Sequence, residues 1–201
     1  MSTDAPPTAP AEDRVAFRRL RADDLPLLQR WLSDPDVAAW YRSGDLTIPA
    51  LAARYADRIT GADTTRAYII EIDSHPAGYI QCYLLADEPE YARQLALPPV
   101  PPPGAAGTDL FLGDPAFRNR GWGTPVLRAL HRRVVFGEMK ATLAIIAPEP
   151  ANRRAIRVYE RVGFRWLKTV SVVDDECPEN TGNEYLMTMT PAEFRARNPI
   201  C

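Results

Sequence analysis

The chain has 201 residues, 46% of them hydrophobic and 25% charged, which is enough apolar content for a buried core within one soluble domain. Its formal charge is -2 and no run of Lys and Arg concentrates positive charge, so nucleic acid and anionic membrane are excluded as expected partners. No apolar stretch approaches the roughly 18 residues of a membrane span. The Met1-Ser2-Thr3-Asp4 start is unlike a signal peptide, and Cys82, Cys177 and Cys201 are an odd set without metal-ligand spacing. Reduced thiols in a cytoplasm and no metal site are the expectation.

Residues 1–13 carry a Pro, Ala and acidic bias that buries little apolar surface, so a disordered tail is expected there and a single domain over 14–201. Val15 to Leu20 reads as a strand. Asp23 and Asp24 open a helix with Leu25, Leu28, Trp31 and Leu32 at helical spacing, ended by Pro35. After Val37, Trp40 and Tyr41, Thr47 caps a helix from Pro49 to Thr60 that Gly61 closes. Tyr68 to Ile72 and Ala77 to Leu84 form an antiparallel hairpin about Asp73-Ser74-His75-Pro76, with His75 solvated in the turn. Residues 86–105 break the pattern: acidic Asp87-Glu88-Pro89-Glu90-Tyr91 is followed by a stiff Pro98 to Gly104 spacer. Such an excursion is either a lid over a binding site or a solvated insertion.

Gly107 to Leu112 reads as a short buried strand, and the run Val126-Leu127-Arg128-Ala129-Leu130 as a helix that carries His131 at or near the surface. Ala141 to Ala147 is another strand, and Asn152 to Val162 a helix closed by Gly163. Phe164 to Val173 and Glu184 to Thr190 form a terminal strand pair joined through Asp174-Asp175-Glu176, and a helix from Pro191 to Arg197 follows. The order β-α-α-β-β-β-α-β-α-β-β predicts a mixed α/β sheet with helices on both faces.

Between the strand at Leu112 and the helix at Val126 lies Arg118-Asn119-Arg120-Gly121-Trp122-Gly123-Thr124-Pro125. Two glycines one residue apart, leading at once into a helix, describe an anion-binding turn. The first helical amides lack intrahelical partners, the helix dipole puts partial positive charge there, and arginines add full charges suited to phosphate. Neither the three-glycine dinucleotide pattern nor the Gly-Lys-Ser/Thr pattern is present.

Arg118, Gly121 and Gly123 in Arg-x-x-Gly-x-Gly order resemble the signature of the Gcn5-related N-acetyltransferases (GNAT). Asn152, Ala155, Tyr159, Gly163 and Phe164 resemble the Asn-x-x-Ala-x-x-x-Tyr-x-x-x-Gly-Phe block of the same superfamily, in the expected order. The resemblance covers residues 15–190. It implies a GNAT fold, a twisted and mostly antiparallel sheet splayed between the fourth and fifth strands, and acetyl-CoA as cofactor. By similarity, the pyrophosphate of coenzyme A lies against Arg118, Asn119, Arg120, Gly121, Trp122, Gly123 and Thr124. The strand backbone from Phe111 to Gly113 pairs with the pantetheine arm, and Asn152 and Tyr159 flank it.

Acetyl transfer from a thioester to an amine needs the amine neutral, yet an alkylammonium of pKa about 10.4 is only on the order of one part in a thousand deprotonated at pH 7. A base is required, and an acid helps the departing thiolate. Tyr159 matches the acid of the family. Asp109, amid Leu110, Phe111 and Leu112, is the candidate base or, equally, an anchor for the ammonium. Within the superfamily the chain is most similar to the aminoglycoside 6'-N-acetyltransferases. That implies a small polycationic amine met by Trp40, Tyr83, Glu88, Glu90, Tyr91 and Asp109, with Asp87 and Asp174 to Glu176 adding to an acidic rim. Those enzymes usually place an aspartate where Ala147-Pro148-Glu149-Pro150 stands here, so a carboxylate that would hold the amine is missing at Ala147 unless Glu149 takes its place. Siderophore-type acyltransferases are a rival reading, though they tend to carry histidine at the position of Asp109. A non-catalytic coenzyme A sensor is a third, disfavoured by the presence of both Asp109 and Tyr159. A monomer or a homodimer is expected, with no nucleic acid and no membrane.

Overall fold

A computed structural model describes residues 9–41, 44–96, 102–173 and 181–199. Cys177, Cys201, Asp174 to Glu176 and most of the Pro98 to Gly104 spacer lie outside the described residues. The strands are β1 (Val15–Arg19), β2 (Arg66–Ile72), β3 (His75–Leu84), β4 (Ala105–Leu112), β5 (Leu143–Ile146), β6 (Arg165–Val173) and β7 (Thr181–Met189). The helices are α1 (Leu25–Leu32), α2 (Pro35–Ala38), α3 (Ile48–Thr60), α4 (Pro89–Leu95), α5 (Gly123–Leu130), α6 (Arg153–Val162) and α7 (Pro191–Arg197).

Local chemistry sets most boundaries. The Thr47 hydroxyl accepts the Ala50 amide at 3.4 Å to cap α3, and Gly61 ends it with φ +83°. Asp73 and Ser74 take φ +51° and +66°, the left-handed pair of a two-residue hairpin loop whose twist matches the flanking β2 and β3. His75 is exposed at this turn, as expected. Thr190 and Glu193 form a reciprocal capping box at the start of α7.

One sheet of seven strands runs in the order β1-β2-β3-β4-β5-β7-β6, antiparallel except for β4 beside β5. Side chains alternate across it. Ile70, Ile80 and Cys82 face α5 and α6, where Val126, Leu127, Leu130 and Ile156 are buried. Ile69, Tyr79 and Phe111 face the opposite side, packed on Leu28 and Trp31 of α1 and Leu51 and Tyr55 of α3. Helices therefore cover both faces. Cys82 is a core side chain, its thiol pushed up to about 12 by burial.

Several expectations are corrected. Residues 9–13 do not all belong to a tail: Glu12–Arg14 form a 3-10 turn, and Glu12 pairs with Arg132 at 3.1 Å. Pro35 does not simply end a helix but begins α2, because the Asp34 carboxylate caps the Asp36 amide at 2.9 Å and proline is tolerated in a first turn. Residues 86–105 are not wholly irregular. Pro89 and Glu90 start α4, which buries Ala92 and Leu95 beside Leu85, Ile145 and Leu186. The helix after Gly123 continues through His131–Glu138 as a π-helix. His131 within it is not near the surface but fully buried, its Nδ1 2.8 Å from the Leu127 carbonyl and its ring among Phe136, Phe164 and Phe194.

Candidate active site

Strands β4 and β5 pair only through Ala105 to Gly107 against Leu143 to Ile145. Beyond Gly107, β4 runs on without β5 beside it, and a cleft of about 740 Å³ opens there. Its walls come from α3, from β3 and β4, from the loop before α5, from α6 and from β7.

Asp109 lies on one wall. It stands directly across the ladder from Gln81 of β3, whose side-chain Nε2 donates to its Oδ2 at 2.9 Å. Burial pushes the Asp109 carboxyl above the ordinary aspartate range, while hydrogen bonds from Gln81 and Tyr83 and the charge of Arg58 oppose that rise. Tyr159 of α6 lines the same cleft and is almost wholly buried. Its phenol is pushed up, first by burial and then by the Asp109 charge, so it is protonated at neutral pH. A carboxylate and a protonated phenol thus face one space.

The loop before α5 also borders that space. Asn119 and Gly121 take φ +61° and +86°, and α5 begins at Gly123 with its first ladder bond from the Val126 amide to the Trp122 carbonyl at 3.0 Å. The Gly123 and Thr124 amides precede that bond, and Pro125 has none to offer. Left-handed residues interleaved in a turn leave successive amides pointing into one concavity, which suits an anion.

Comparison with known proteins now bears on this geometry. The acetyltransferase (GNAT) domain family model matches residues 21–172. The chain belongs to the GNAT acetyltransferases. Aminoglycoside N(6')-acetyltransferase type 1 of Klebsiella pneumoniae is 29% identical over 167 residues, covering 82% of this chain and 80% of that protein. The structure of AAC(6')-Ib in complex with ribostamycin and coenzyme A aligns with a TM-score of 0.74 at 26% identity, over 94% of this chain and 100% of that one. A kanamycin resistance protein of Rhizobium radiobacter is 38% identical over a shorter 72 residues, 36% of this chain.

This GNAT chain departs from several expected site residues. Arg118 does not offer an unengaged charge to the loop. Its Nη1 and Nη2 donate to both Asp34 oxygens at 2.9 and 2.6 Å, and Nη1 reaches Asp36 at 3.2 Å. Arg120 is exposed outside the cleft, beside Arg14 and Asp73 on the far side of the loop, and Thr124 does not line the cleft either. Trp122 borders the cleft, but its ring does not face solvent. It is buried at 5% exposure, edge-on to Phe117 and under the Arg14 guanidinium. Asn119 accepts from Arg154, and Asn152 caps α6 by accepting the Ala155 amide at 3.1 Å.

The strand edge is shifted by one residue. The Gly113 amide donates to the Ala77 carbonyl at 2.9 Å, so in this antiparallel ladder Gly113 and Phe111 turn their backbone groups toward β3. Leu110 and Leu112 turn theirs to the side that β5 has left. Glycine at 113 has a packing reason instead: a Cβ there would sit 2.2 Å from Cγ of Trp31.

On the acceptor side, Trp40, Tyr83, Glu88 and Tyr91 line the cleft, as does Glu149, whereas Glu90 and Asp87 do not. Glu90 pairs with Arg93 on the surface, and Asp87 accepts from the Thr64 hydroxyl at 2.8 Å. The Glu88 carboxyl is pushed up, first by burial and then by Asp63. Tyr91 donates to Glu184 of β7 at 2.9 Å, which adds a carboxylate that sequence reasoning missed. It also missed Gln81 and the α3 residues Arg54, Tyr55 and Arg58, which line the cleft. A polar Gln81 between Tyr79 and Tyr83 on the same face of an apolar strand was the available signal.

Among the described residues no group of acidic, His or Cys side chains is placed to hold a metal, and no helix is long and apolar enough to cross a membrane.

Proposed function

We propose that this acetyltransferase moves the acetyl group of acetyl-CoA to the 6' amine of an aminoglycoside by direct transfer with both substrates bound. The observation that carries this reading is that Asp109 and Tyr159 line one cleft together with Asn119, Gly121 and Gly123 of the turn before α5. Acetyl-CoA supplies the acetyl as a thioester and leaves as a thiol.

The residues fit such a group. The amides of the turn would hold its phosphates, the outward backbone groups of Leu110 and Leu112 would pair with an extended amide-bearing arm, and Tyr159 would serve as the acid for its sulfur. On the acceptor side, Glu88, Glu184 and Asp109 supply negative charge between tyrosine faces that stack on a sugar. Asp109 takes a proton from the bound ammonium, which frees the nitrogen lone pair to bond to the acetyl carbon, and the acylated nitrogen sheds its second proton to the Tyr159 oxygen once that phenol has protonated the sulfur. Tyr159 gives a proton to sulfur as the carbon–sulfur bond breaks. The raised Asp109 pKa strengthens it as a base, and the low dielectric of the cleft strengthens its grip on an ammonium beforehand.

The test is thiol release from acetyl-CoA against kanamycin, ribostamycin, spermidine and an N-hydroxylated lysine. Turnover with the aminoglycosides and modification of their 6' amine is the expected result. Turnover only with the hydroxylated lysine would replace the acceptor assignment, and coenzyme binding without turnover on any amine would overturn the enzymatic one.

A further inference from the structure

Gln81 sits 8% exposed on β3, across the ladder from Asp109. Two donors meet its oxygen: Arg58 Nη1 at 3.3 Å and the Tyr79 hydroxyl at 2.7 Å. A guanidinium has donors only, so the atom facing it is the amide oxygen and the NH2 group must point the other way. That way lies Oδ2 of Asp109, at 2.9 Å. The amide cannot flip without setting donor against donor at Arg58. Arg58 is itself fixed at 3.2 Å to Asp63 and lies over the Tyr55 ring.

We propose that Gln81 is a positioning residue for the reaction: clamped by Arg58 and Tyr79, its amide passes the polarity of the Arg58 cation to the Asp109 carboxylate and fixes that carboxylate's orientation across the cleft. The proposal rests on Asp109 acting as base or anchor in the function proposed above. Its chemistry is simple. A donor aimed at a carboxylate stabilises the ionised form, and here it opposes the burial that favours the neutral one. Gln81 therefore favours the ionised form of Asp109 against the burial that opposes it.

Of the other groups facing Asp109, the Tyr83 hydroxyl also donates to it, but no cation stands behind that donor. Tyr41 and Tyr79, with Tyr91 of α4 and Tyr159 of α6, are phenols that burial pushes up, and Cys82 is a buried thiol. Glu88 carries like charge and works against ionisation. Arg58 is the cation whose charge lowers the Asp109 pKa.

The experiment compares wild type, Gln81→Leu, Arg58→Met and Asp109→Asn by two readouts: the pH profile of kcat/KM with acetyl-CoA and kanamycin, and the Asp109 midpoint from carbon-13 carboxyl NMR of the protein without substrates. The expected result is an upward move of the Asp109 midpoint by about one pH unit or more in Gln81→Leu, with a matching move of the acid limb and a roughly tenfold loss of kcat/KM below it. Arg58→Met moves both in the same direction and carries the test if Gln81→Leu does not fold. A midpoint unchanged from wild type in both variants overturns the proposal. The NMR readout needs no turnover, so it decides the matter even if kanamycin is not a substrate. Full activity of Asp109→Asn would instead remove the role of Asp109, and that of Gln81 with it.

Discussion

Arg118 and Asp34, 84 positions apart, are joined by two parallel hydrogen bonds of 2.9 and 2.6 Å. Asp34 also caps α2, so this pair ties the loop at one end of the cleft to the helix that leads to Trp40 and Tyr41 at the other. The guanidinium holds the Asp34 carboxyl below the usual range, and the carboxylate raises Arg118 in turn. Arg118→Gln and Asp34→Asn should therefore behave alike. Each is expected to lower the melting temperature and to raise the acceptor KM more than the coenzyme Kd, measured by calorimetry. If Arg118 spent its charge on phosphate instead, Asp34→Asn would leave coenzyme binding intact or strengthen it while Arg118→Gln weakened it.

Removing the two side chains proposed as base and acid separates chemistry from binding. Tyr159→Phe and Asp109→Asn should each lower kcat by roughly 10²–10⁴, the usual span for positioned acid–base groups, with the coenzyme Kd nearly unchanged. Stopped-flow thiol release and calorimetric titration measure the two quantities. In wild type, activity falls as pH drops and Asp109 takes up a proton. Because burial raises its pKa, that fall should lie above the ordinary aspartate range, and it should be missing from whatever activity Asp109→Asn keeps.

Gly113→Ala tests the contact between β4 and α1. A Cβ at 2.2 Å from the Trp31 ring cannot be accommodated unless Trp31 or the strand moves. Overpacking of this kind costs about 1–3 kcal/mol, read from urea unfolding. Stability unchanged from wild type would show that the two elements shift apart freely.

His131 gives the fold an acid limit. Burial lowers its pKa from the ordinary 6.5 of histidine to about 4, so the folded state keeps it neutral where the unfolded chain takes a proton. With the folded value depressed for a cationic acid, the unfolded state binds more protons between pH 6.5 and about 4. Stability thus falls as pH drops through that window and levels off below it, by on the order of 3 kcal/mol in full. His131→Leu should flatten this part of the pH–stability curve. An identical slope in both proteins would show that His131 does not titrate on unfolding.

Elements with a local cause were legible in the sequence. Thr47, Gly61, the Asp73-Ser74 turn and the Gly163 stop each act within a few residues, and the alternation of the strands follows from a period of two. Helix α4 was not, because Pro89 reads as a breaker in isolation and only the packing of Ala92 and Leu95 on β5 and β7 makes the segment helical. The depth of His131 was hidden for a similar reason. Nothing within its own helix reveals that Phe164 and Phe194, from elements later in the chain, close over it.

For the site, the chain by itself pointed to the family, to the Gly-rich turn before α5, and to Asp109 and Tyr159 as candidates, because residue type and spacing are local properties of the sequence. Tertiary structure decided the rest. It set which partners each charge meets, taking Arg118 for Asp34, sealing Trp122 in the core, turning the backbone edges of Leu110 and Leu112 rather than Phe111 and Gly113 toward the cleft, and placing Gln81 between Arg58 and Asp109. Electrostatic and hydrogen-bond pairing depends on distances of a few ångströms between residues tens of positions apart, and such distances exist only once the sheet has formed.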